Sequence, residues 1–464
     1  MRIVRPENQR SLNTVAPDSA AGSDVEVSQA SRRWGLWWLS PTGSVTIIIP
    51  ATLYLAWIFD NQTYVDQWRT PKVLTTATIL TAVSAVVVFM IAGLLPQFGK
   101  WRKLARPWPS FNEAQYESLA VCAKWVFRAT IFGYIAMFGA AASRGARPTI
   151  FIDAFTGDGT SDALKDYFAP ITGITTFTQV GIAYVVIATL LVIRHPVPYI
   201  RTKLLVVIGL GLFRAFFVSE RLAIIELVFP IVAVLAMVGA GSPRARTRVL
   251  SKLAPILLVP AAIATFAFFE YFRSWTAYYA ARPNNGFVAF ALERFAGYYV
   301  TAYNNGQLAL DYQPVDAVPY NSIAFLWQAP VISQLGIYEK LNHGPPVDWF
   351  AILLAHGNEE LNNVGGIQEP FVDFGTIGGY IFFIAVGLVL GWLYLGFKNG
   401  SPMAVIVYPP LVTGLFEMPR YLYWTQGRFT PGLVALIITG YVVSNKKEVD
   451  LREGAPQKSE VKIQ

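Results

Sequence analysis

Long apolar runs separated by short polar stretches form the main pattern of the chain. Runs such as Val73 to Pro96 and Ile171 to Ile193 contain no charged residue. Each is long enough to cross a hydrocarbon layer of about 30 Å as one helix. The series predicts an all-α polytopic membrane bundle of about ten transmembrane helices. We place the spans at 43–59, 73–95, 119–142, 171–193, 203–218, 222–240, 253–271, 372–397, 402–416 and 429–444.

The composition agrees with a membrane protein. The chain is 54% hydrophobic and 14% charged, whereas soluble proteins carry about 25% charged residues. Residues 1–33 are polar with no apolar core, which predicts a disordered cytoplasmic tail rather than a signal peptide. We therefore expect one polytopic domain over 34–444 and a second cytoplasmic tail over 445–464.

Charge alternates between the connecting loops. Arg and Lys concentrate before the first span and in every second loop after it, as in the stretch Arg244 to Lys252. By the positive-inside rule these loops and both termini are cytoplasmic. The formal charge of +8 is thus an orientation signal in the plasma (inner) membrane, and we expect no nucleic-acid partner.

One extracytoplasmic loop is exceptionally long. Residues 272–370 contain eight carboxylates and four basic residues, and no convincing span. The stretch 322–337 is nearly apolar enough, but Gln328, Pro330 and Gln334 favour a re-entrant or surface-lying segment.

Arginines collect at the predicted extracytoplasmic boundary. Guanidinium groups bind phosphate oxygens in a bidentate manner, so this face suits a lipid diphosphate. The alternatives are a hairpin closed by an Arg221–Glu226 ion pair, and snorkelling of single arginines. The candidate diphosphate-binding residues are Arg214, Arg221, Arg273, Arg282 and Arg420.

The long loop also contains candidates for catalysis and for glycan binding. His343, His356 and Glu369 are candidate bases for a sugar hydroxyl, although a loop histidine is more often structural. Aromatic and amide side chains suit carbohydrate, but aromatics are also typical of an interfacial belt. The candidate glycan-binding residues are Tyr298, Tyr299, Tyr303, Asn304 and Asn305.

Cofactor motifs are absent from the sequence. It contains no Walker loop, no dinucleotide fingerprint and no HExxH, and Cys122 is its only cysteine. We therefore expect no metal and no cofactor.

The stretch NNVGGIQEPFVDFGTIGGYIFFIAVGLVLGWLY, residues 362–394, resembles the end of the large periplasmic loop in oligosaccharide repeat-unit polymerases of the Wzy type, in the O-antigen ligase and polymerase superfamily. The family pattern is a small-residue turn, an acidic residue and a DFGxxG-like entry into a Gly-rich span, matched here by Asp373, Phe374, Gly375 and Gly378. The segment RLAIIEL, 221–227, is similar to the family's Arg-bearing helix start. The resemblance covers about a third of the chain.

The resemblance implies a GT-C-like fold with a helical extracytoplasmic loop and metal-independent glycosyl transfer. Its donor would be an undecaprenyl-diphosphate-linked oligosaccharide, and its further partners membrane lipid and a chain-length regulator protein. It implies that Arg221, with Arg273 or Arg282, engages the diphosphate and that His356 or His343 assists the acceptor.

Two other functions remain open from the sequence. A GT-C enzyme using a polyprenyl-phosphate sugar would have catalytic acids in the first outer loop, where Asp60 and Asp66 lie. A lipid-linked glycan flippase or exporter would need a polar path through spans that are mostly uncharged.

Overall fold

The computed structural model describes residues 36–98, 108–109, 111–151, 161–218, 222–280, 286–313 and 317–446, and this part of the chain is helical without strands. Arg221, Arg282, the tail 1–33 and all but the first two residues of the tail 445–464 therefore lie outside the described residues. The α-helices are α1 Pro41–Ile58, α2 Asn61–Trp68, α3 Thr76–Phe98, α4 Glu113–Ser143, α5 Ser161–Tyr167, α6 Gly181–Arg194, α7 Ile200–Phe217, α8 Leu222–Ala240, α9 Ala245–Glu270, α10 Phe287–Tyr312, α11 Ala324–Trp327, α12 Pro330–Gln334, α13 Ile337–Asn342, α14 Trp349–His356, α15 Glu369–Lys398, α16 Pro402–Glu417 and α17 Thr430–Ser444.

Seven helical stretches in the described part are long and apolar enough to cross a membrane: Pro41–Ile58, Thr76–Phe98, Glu113–Ser143, Thr175–Arg194, Leu222–Ala240, Ala245–Thr276 and Glu369–Lys398. The three other predicted spans coincide with α7, α16 and α17. Helices α16 and α17 are shorter, with 16 and 15 residues, and α7 contains three basic residues. The all-helical fold is thus confirmed in the described part, with seven stretches that could cross a membrane, and the count of ten crossings stays a prediction.

Close backbone packing joins α3 to α15. A Cβ atom on Gly391 would lie 2.4 Å from the carbonyl oxygen of Gly93, and one on Gly387 would lie 2.7 Å from that of Phe89. Small residues are typical of helix pairs in membranes because they let two backbones approach. Helix α6 lies at the centre of the bundle, with every residue from Gly181 to Leu191 buried.

The connecting segments meet at two ends of the bundle. At one end, which we call the basic end, Trp38 donates to the carbonyl of Ser251 and Trp108 to that of Phe397. At the other, which we call the distal end, Asn304 donates to Pro71 O and Gly427 N donates to Gln328. Each of these hydrogen bonds joins two connecting segments that the charge pattern assigns to the same membrane face. Which end faces the cytoplasm stays a prediction.

Helix α10 crosses the distal end of the bundle. Its residues meet the ends of successive helices: Tyr298 contacts Phe266 of α9, Tyr303 hydrogen-bonds Thr52 of α1, and Gln307 hydrogen-bonds Thr78 of α3. The long loop 272–370 is therefore built around a 26-residue helix. The stretch 322–337 does not form one helix. It consists of short helical pieces that are interrupted at Ala329 and Gly336.

Asp373 fastens this loop to the start of α15. Its carboxylate accepts hydrogen bonds from the backbone N–H groups of Tyr320, Asn321 and Ser322 and from the Asn321 side chain. The acidic residue of the DFG stretch thus orders the turn that leads into α11.

Replacing Asp373 by alanine is expected to lower the free energy of unfolding by about 1–3 kcal/mol, because half-buried N–H groups lose their acceptor. The measurement is the thermal unfolding midpoint in detergent. Asp373→Asn keeps one acceptor oxygen and should lose less, whereas Asp66→Ala, at an exposed position, should change little. An unchanged midpoint for Asp373→Ala would rule out this fastening role.

Candidate functional site

A buried ion pair lies where α16 ends at the distal end. Glu417 is the last residue of α16, and Arg420 follows three positions later, with its Nη1 2.7 Å from Glu417 Oε2. The Glu417 side chain is 4% exposed and that of Arg420 is 20% exposed. Charges among apolar helices are costly and are usually retained for function.

Tyrosine rings surround the guanidinium of Arg420. Its Cζ lies 5.3 Å from the ring centroid of Tyr298, 5.9 Å from that of Tyr299 and 5.6 Å from that of Tyr421. Cation–π attraction holds an arginine over aromatic faces at such distances. The rings therefore fix the guanidinium without using its hydrogen-bond donors.

A second ion pair lies beside the first. Arg428 donates through Nε and Nη2 to the two oxygens of Glu226, at 3.0 and 3.1 Å. Glu417 interacts electrostatically with both members of this pair. Glu226, for which a pair with Arg221 was considered, thus gives both oxygens to Arg428, which the sequence analysis had not selected.

Arg214 extends this group from the other side of Glu226. Its Nη1 donates to Thr178 Oγ1 at 3.3 Å. In the orientation that satisfies both neighbours, the Gln179 amide donates to Glu226 at 3.2 Å and accepts from Arg214 at 2.9 Å. The group, which we call the arginine network, consists of Arg214, Gln179, Glu226, Arg428, Glu417 and Arg420.

The arginine network is suited to an anion. Three guanidinium groups face two carboxylates, so its formal charge is +1. Among the described residues, Arg420 Nε and Asn363 Nδ2 are buried and have no hydrogen-bond acceptor, although Arg420 Nη2 donates to Asn363 Oδ1 at 3.4 Å. Two neighbouring donors without an acceptor favour a ligand that supplies oxygen atoms.

The predicted arginines are thus brought together in part. Arg214 and Arg420 belong to the arginine network. Arg273 lies in the π-helix Tyr271–Tyr279 and makes no hydrogen bond or ion pair within the described residues. Arg221 and Arg282 lie outside them.

The predicted glycan-binding residues divide into two groups. Tyr298 and Tyr299 pack on Arg420, but Tyr303, Asn304 and Asn305 are no more than 1% exposed. Asn304 accepts from the backbone of Val73 and Leu74. Asn305 donates to the carbonyls of Leu361 and Asn363. Tyr303, Asn304 and Asn305 thus hold the fold together, and we remove them from the candidate binding surface.

The three candidate bases lie in different surroundings. The His356 ring stacks on Tyr312 at 3.9 Å, and Tyr312 is about 20 Å along α10 from the Tyr299 level. His343 is exposed and ends α13 in the left-handed region, with φ 56°. Glu369 is buried and accepts from Leu422 N at 3.3 Å, two residues beyond Arg420. Among the three candidate bases, Glu369 is therefore the one with a hydrogen bond to the segment that contains Arg420.

The acids of the first outer loop have local roles. Asp60 caps α2 by accepting from Thr63 N at 2.8 Å. Hydrogen bonds from the Thr63 side chain and backbone lower the pKa of Asp60. Asp66 accepts from Gln62 at 2.9 Å. Within the described residues, no three His, Cys, Asp or Glu side chains converge as a metal site would require.

A separate ion-pair group joins the end of α9 to the segment that follows α14. Arg294 lies between the buried Glu270, at 3.5 Å, and Glu360, at 2.7 Å. Burial raises the pKa of Glu360, but the hydrogen bond and charge of Arg294 outweigh it and hold the pKa below its ordinary value of 4.5.

Acidification is expected to weaken this connection. A lowered folded-state pKa gives stability that is complete above the ordinary value and is lost as pH falls through the folded value. The Glu360 side chain is 45% exposed, so the effect is on the order of 1 kcal/mol or less. The measurement compares unfolding midpoints of wild type and Glu360→Gln from neutral pH down to about pH 3. The difference should vanish at the acid end, and a difference that persists there would contradict the ionic origin.

Sequence reasoning missed Glu417, Arg428 and Asn363. The detectable signal was EMPR at the end of an apolar run, since carboxylate and arginine three positions apart share a helix face. Comparison of the chain with protein-family models, with curated proteins and with solved structures found no match.

Proposed function

We propose that the protein is a membrane glycosyltransferase that polymerises oligosaccharide repeat units from an undecaprenyl-diphosphate-linked donor for a cell-surface polysaccharide. The observation that carries the proposal is the arginine network. It gathers the buried Arg214 and the partly buried Arg420 and Arg428 among apolar helices, with unpaired donors on Arg420 and Asn363. A diphosphate supplies the anionic oxygens that such donors accept.

The proposed chemistry follows from the leaving group. Attack of an acceptor hydroxyl on the donor's anomeric carbon forms the glycosidic bond and breaks the carbon–oxygen bond to the diphosphate. Preorganised cations stabilise the charge that develops on the leaving oxygen, which is the role we give to Arg420, Arg214 and Arg428. The hydroxyl proton passes to a base, for which Glu369 is the candidate beside the network and His356 the more distant alternative.

The topology belongs to the same proposal. With ten crossings and the basic end in the cytoplasm, the arginine network lies at the extracytoplasmic head-group level, where a lipid-linked repeat unit would present its diphosphate. The capping role of Asp60 gives no support to the alternative of a transferase with catalytic acids in the first outer loop.

The test uses the purified full chain in vesicles with a synthetic undecaprenyl-diphosphate-linked repeat unit. The expected result is a ladder of lipid-linked products that differ by one repeat unit. Arg273→Ala, outside the network, should keep the ladder. A product with a single added sugar from a polyprenyl-phosphate donor would replace the proposal by the transferase alternative. Movement of the unchanged donor between leaflets would replace it by a flippase.

A further inference from the structure

The stretch between Asp316 and Glu339 is unusual for a loop outside a membrane, because it contains no charged residue. It forms the short helices α11 and α12 and the start of α13. These pack around the buried Tyr338, whose ring contacts Tyr320 and Trp327 at 4.9 and 5.4 Å. The unit therefore has a small core of its own, and its remaining apolar side chains point away from that core.

Large apolar side chains are exposed on this unit. Val331 is 67% and Leu335 54% exposed, and no residue of α12 is buried. The side chains of Phe325 and Leu326 are also partly exposed. Contiguous exposed apolar surface on a protein usually marks a partner or a membrane.

Contacts place this surface at the ends of membrane helices. Pro330 lies 3.2 Å from the Cβ position of Gly173, just before the crossing stretch Thr175–Arg194. Asp373, in the first turns of α15, holds the turn that leads into α11. The apolar exposure continues across this contact to Ile171 and Ile174.

We propose that this surface, the apolar rim, is inserted into the outer leaflet of the membrane. The apolar rim consists of Phe325, Leu326, Val331, Leu335, Ile171 and Ile174. The strength with which a helix binds in the interface scales with the apolar area that it buries there, and residues 317–338 contain no charge that would oppose the burial. The occupant is lipid because the rim adjoins the first turns of α15, a helix long and apolar enough to cross a membrane that exposes Ile377 at 77% and Ile381 at 60%.

The insertion has a consequence for the arginine network. Gln328, next to the rim, accepts from Gly427 N at 3.0 Å, and Gly427 precedes Arg428. An inserted rim thus fixes the loop of Arg428 at the depth of lipid head groups. The insertion does not depend on glycosyltransferase activity. Failure of the proposed function would therefore leave the proposed insertion standing.

The test places nitroxide labels on single cysteines in a Cys122→Ala background, in vesicles of phosphatidylethanolamine and phosphatidylglycerol. Labels at Val331 and Leu335 should collide more with oxygen than with a water-soluble nickel chelate. They should match a label at Ile381, which is 60% exposed on α15, and differ from one at the exposed Glu359.

Two outcomes would overturn the proposal. Rim labels that behave like Glu359 would place the rim in water. Spectral broadening that disappears on dilution with unlabelled protein would show that a second copy covers the rim. Circular dichroism of each labelled variant checks that the helices are intact, and the two labelled positions give independent readings.

Discussion

Arg420→Ala is expected to abolish polymer formation and to lower the free energy of unfolding by about 3–5 kcal/mol, because it leaves a buried carboxylate without its cation. Glu417 is 4% exposed and its partner lies at 2.7 Å. The variant also removes the guanidinium that lies over the rings of Tyr298, Tyr299 and Tyr421. The measurements are the product ladder and the thermal unfolding midpoint in detergent.

A matched variant separates the loss of function from the loss of stability. In Arg420→Met with Glu417→Gln, no buried charge is left unpaired, so most of the stability should return. The ladder should remain absent if Arg420 binds the donor. A stable double variant that still polymerises would remove Arg420 from the site and leave it a structural role.

Arg420→Lys refines this result. Lysine keeps the charge but offers a single point of contact, whereas guanidinium binds two oxygens at once and stacks on aromatic rings. We expect the ladder from this variant to be shorter and slower than that of wild type, with a smaller loss of stability than for alanine.

The helices were predictable from the sequence where burial in lipid decides them. The run from Val73 and the run from Gly378 are long and uncharged, and helices α3 and α15 cover them from Thr76 and from Gly378 onward. Helix α10 was missed because its second half contains Asn304, Asn305 and Gln307. These side chains are buried against loop backbone and other side chains rather than lipid, and mean hydropathy does not register such burial.

The site was predictable only in its arginines. Arg214 and Arg420 stand out locally, since each is a charge at the edge of an apolar run. Their surroundings depend on contacts between distant parts of the chain. Arg428 and Glu226 are 202 positions apart, and no local period relates them. The amides of Asn304 and Asn305 were interpreted as sugar-binding groups because their backbone partners lie 56 to 233 positions away. The local sequence does not reveal such partners.

The Arg428–Glu226 pair decides how far the functional part of the arginine network extends. Arg428→Ala leaves Glu226, 1% exposed, with the Gln179 amide and without its bidentate cation. We expect a loss of about 3–5 kcal/mol in the free energy of unfolding, together with a strong loss of the ladder. The loss of stability should be partly offset because Arg214 reaches Glu226 through Gln179.

The double variant Arg428→Met with Glu226→Gln tests the role of the charge. It removes one cation and one buried anion, so the network keeps its formal charge of +1 and most of its stability. If Arg428 contacts the diphosphate, the ladder stays weak and the donor concentration for half-maximal rate rises. If Arg428 serves only to neutralise Glu226, the double variant polymerises like wild type. The second result would confine donor binding to Arg420 and Arg214, because the network would then hold the diphosphate without the only cation on the 426–429 loop.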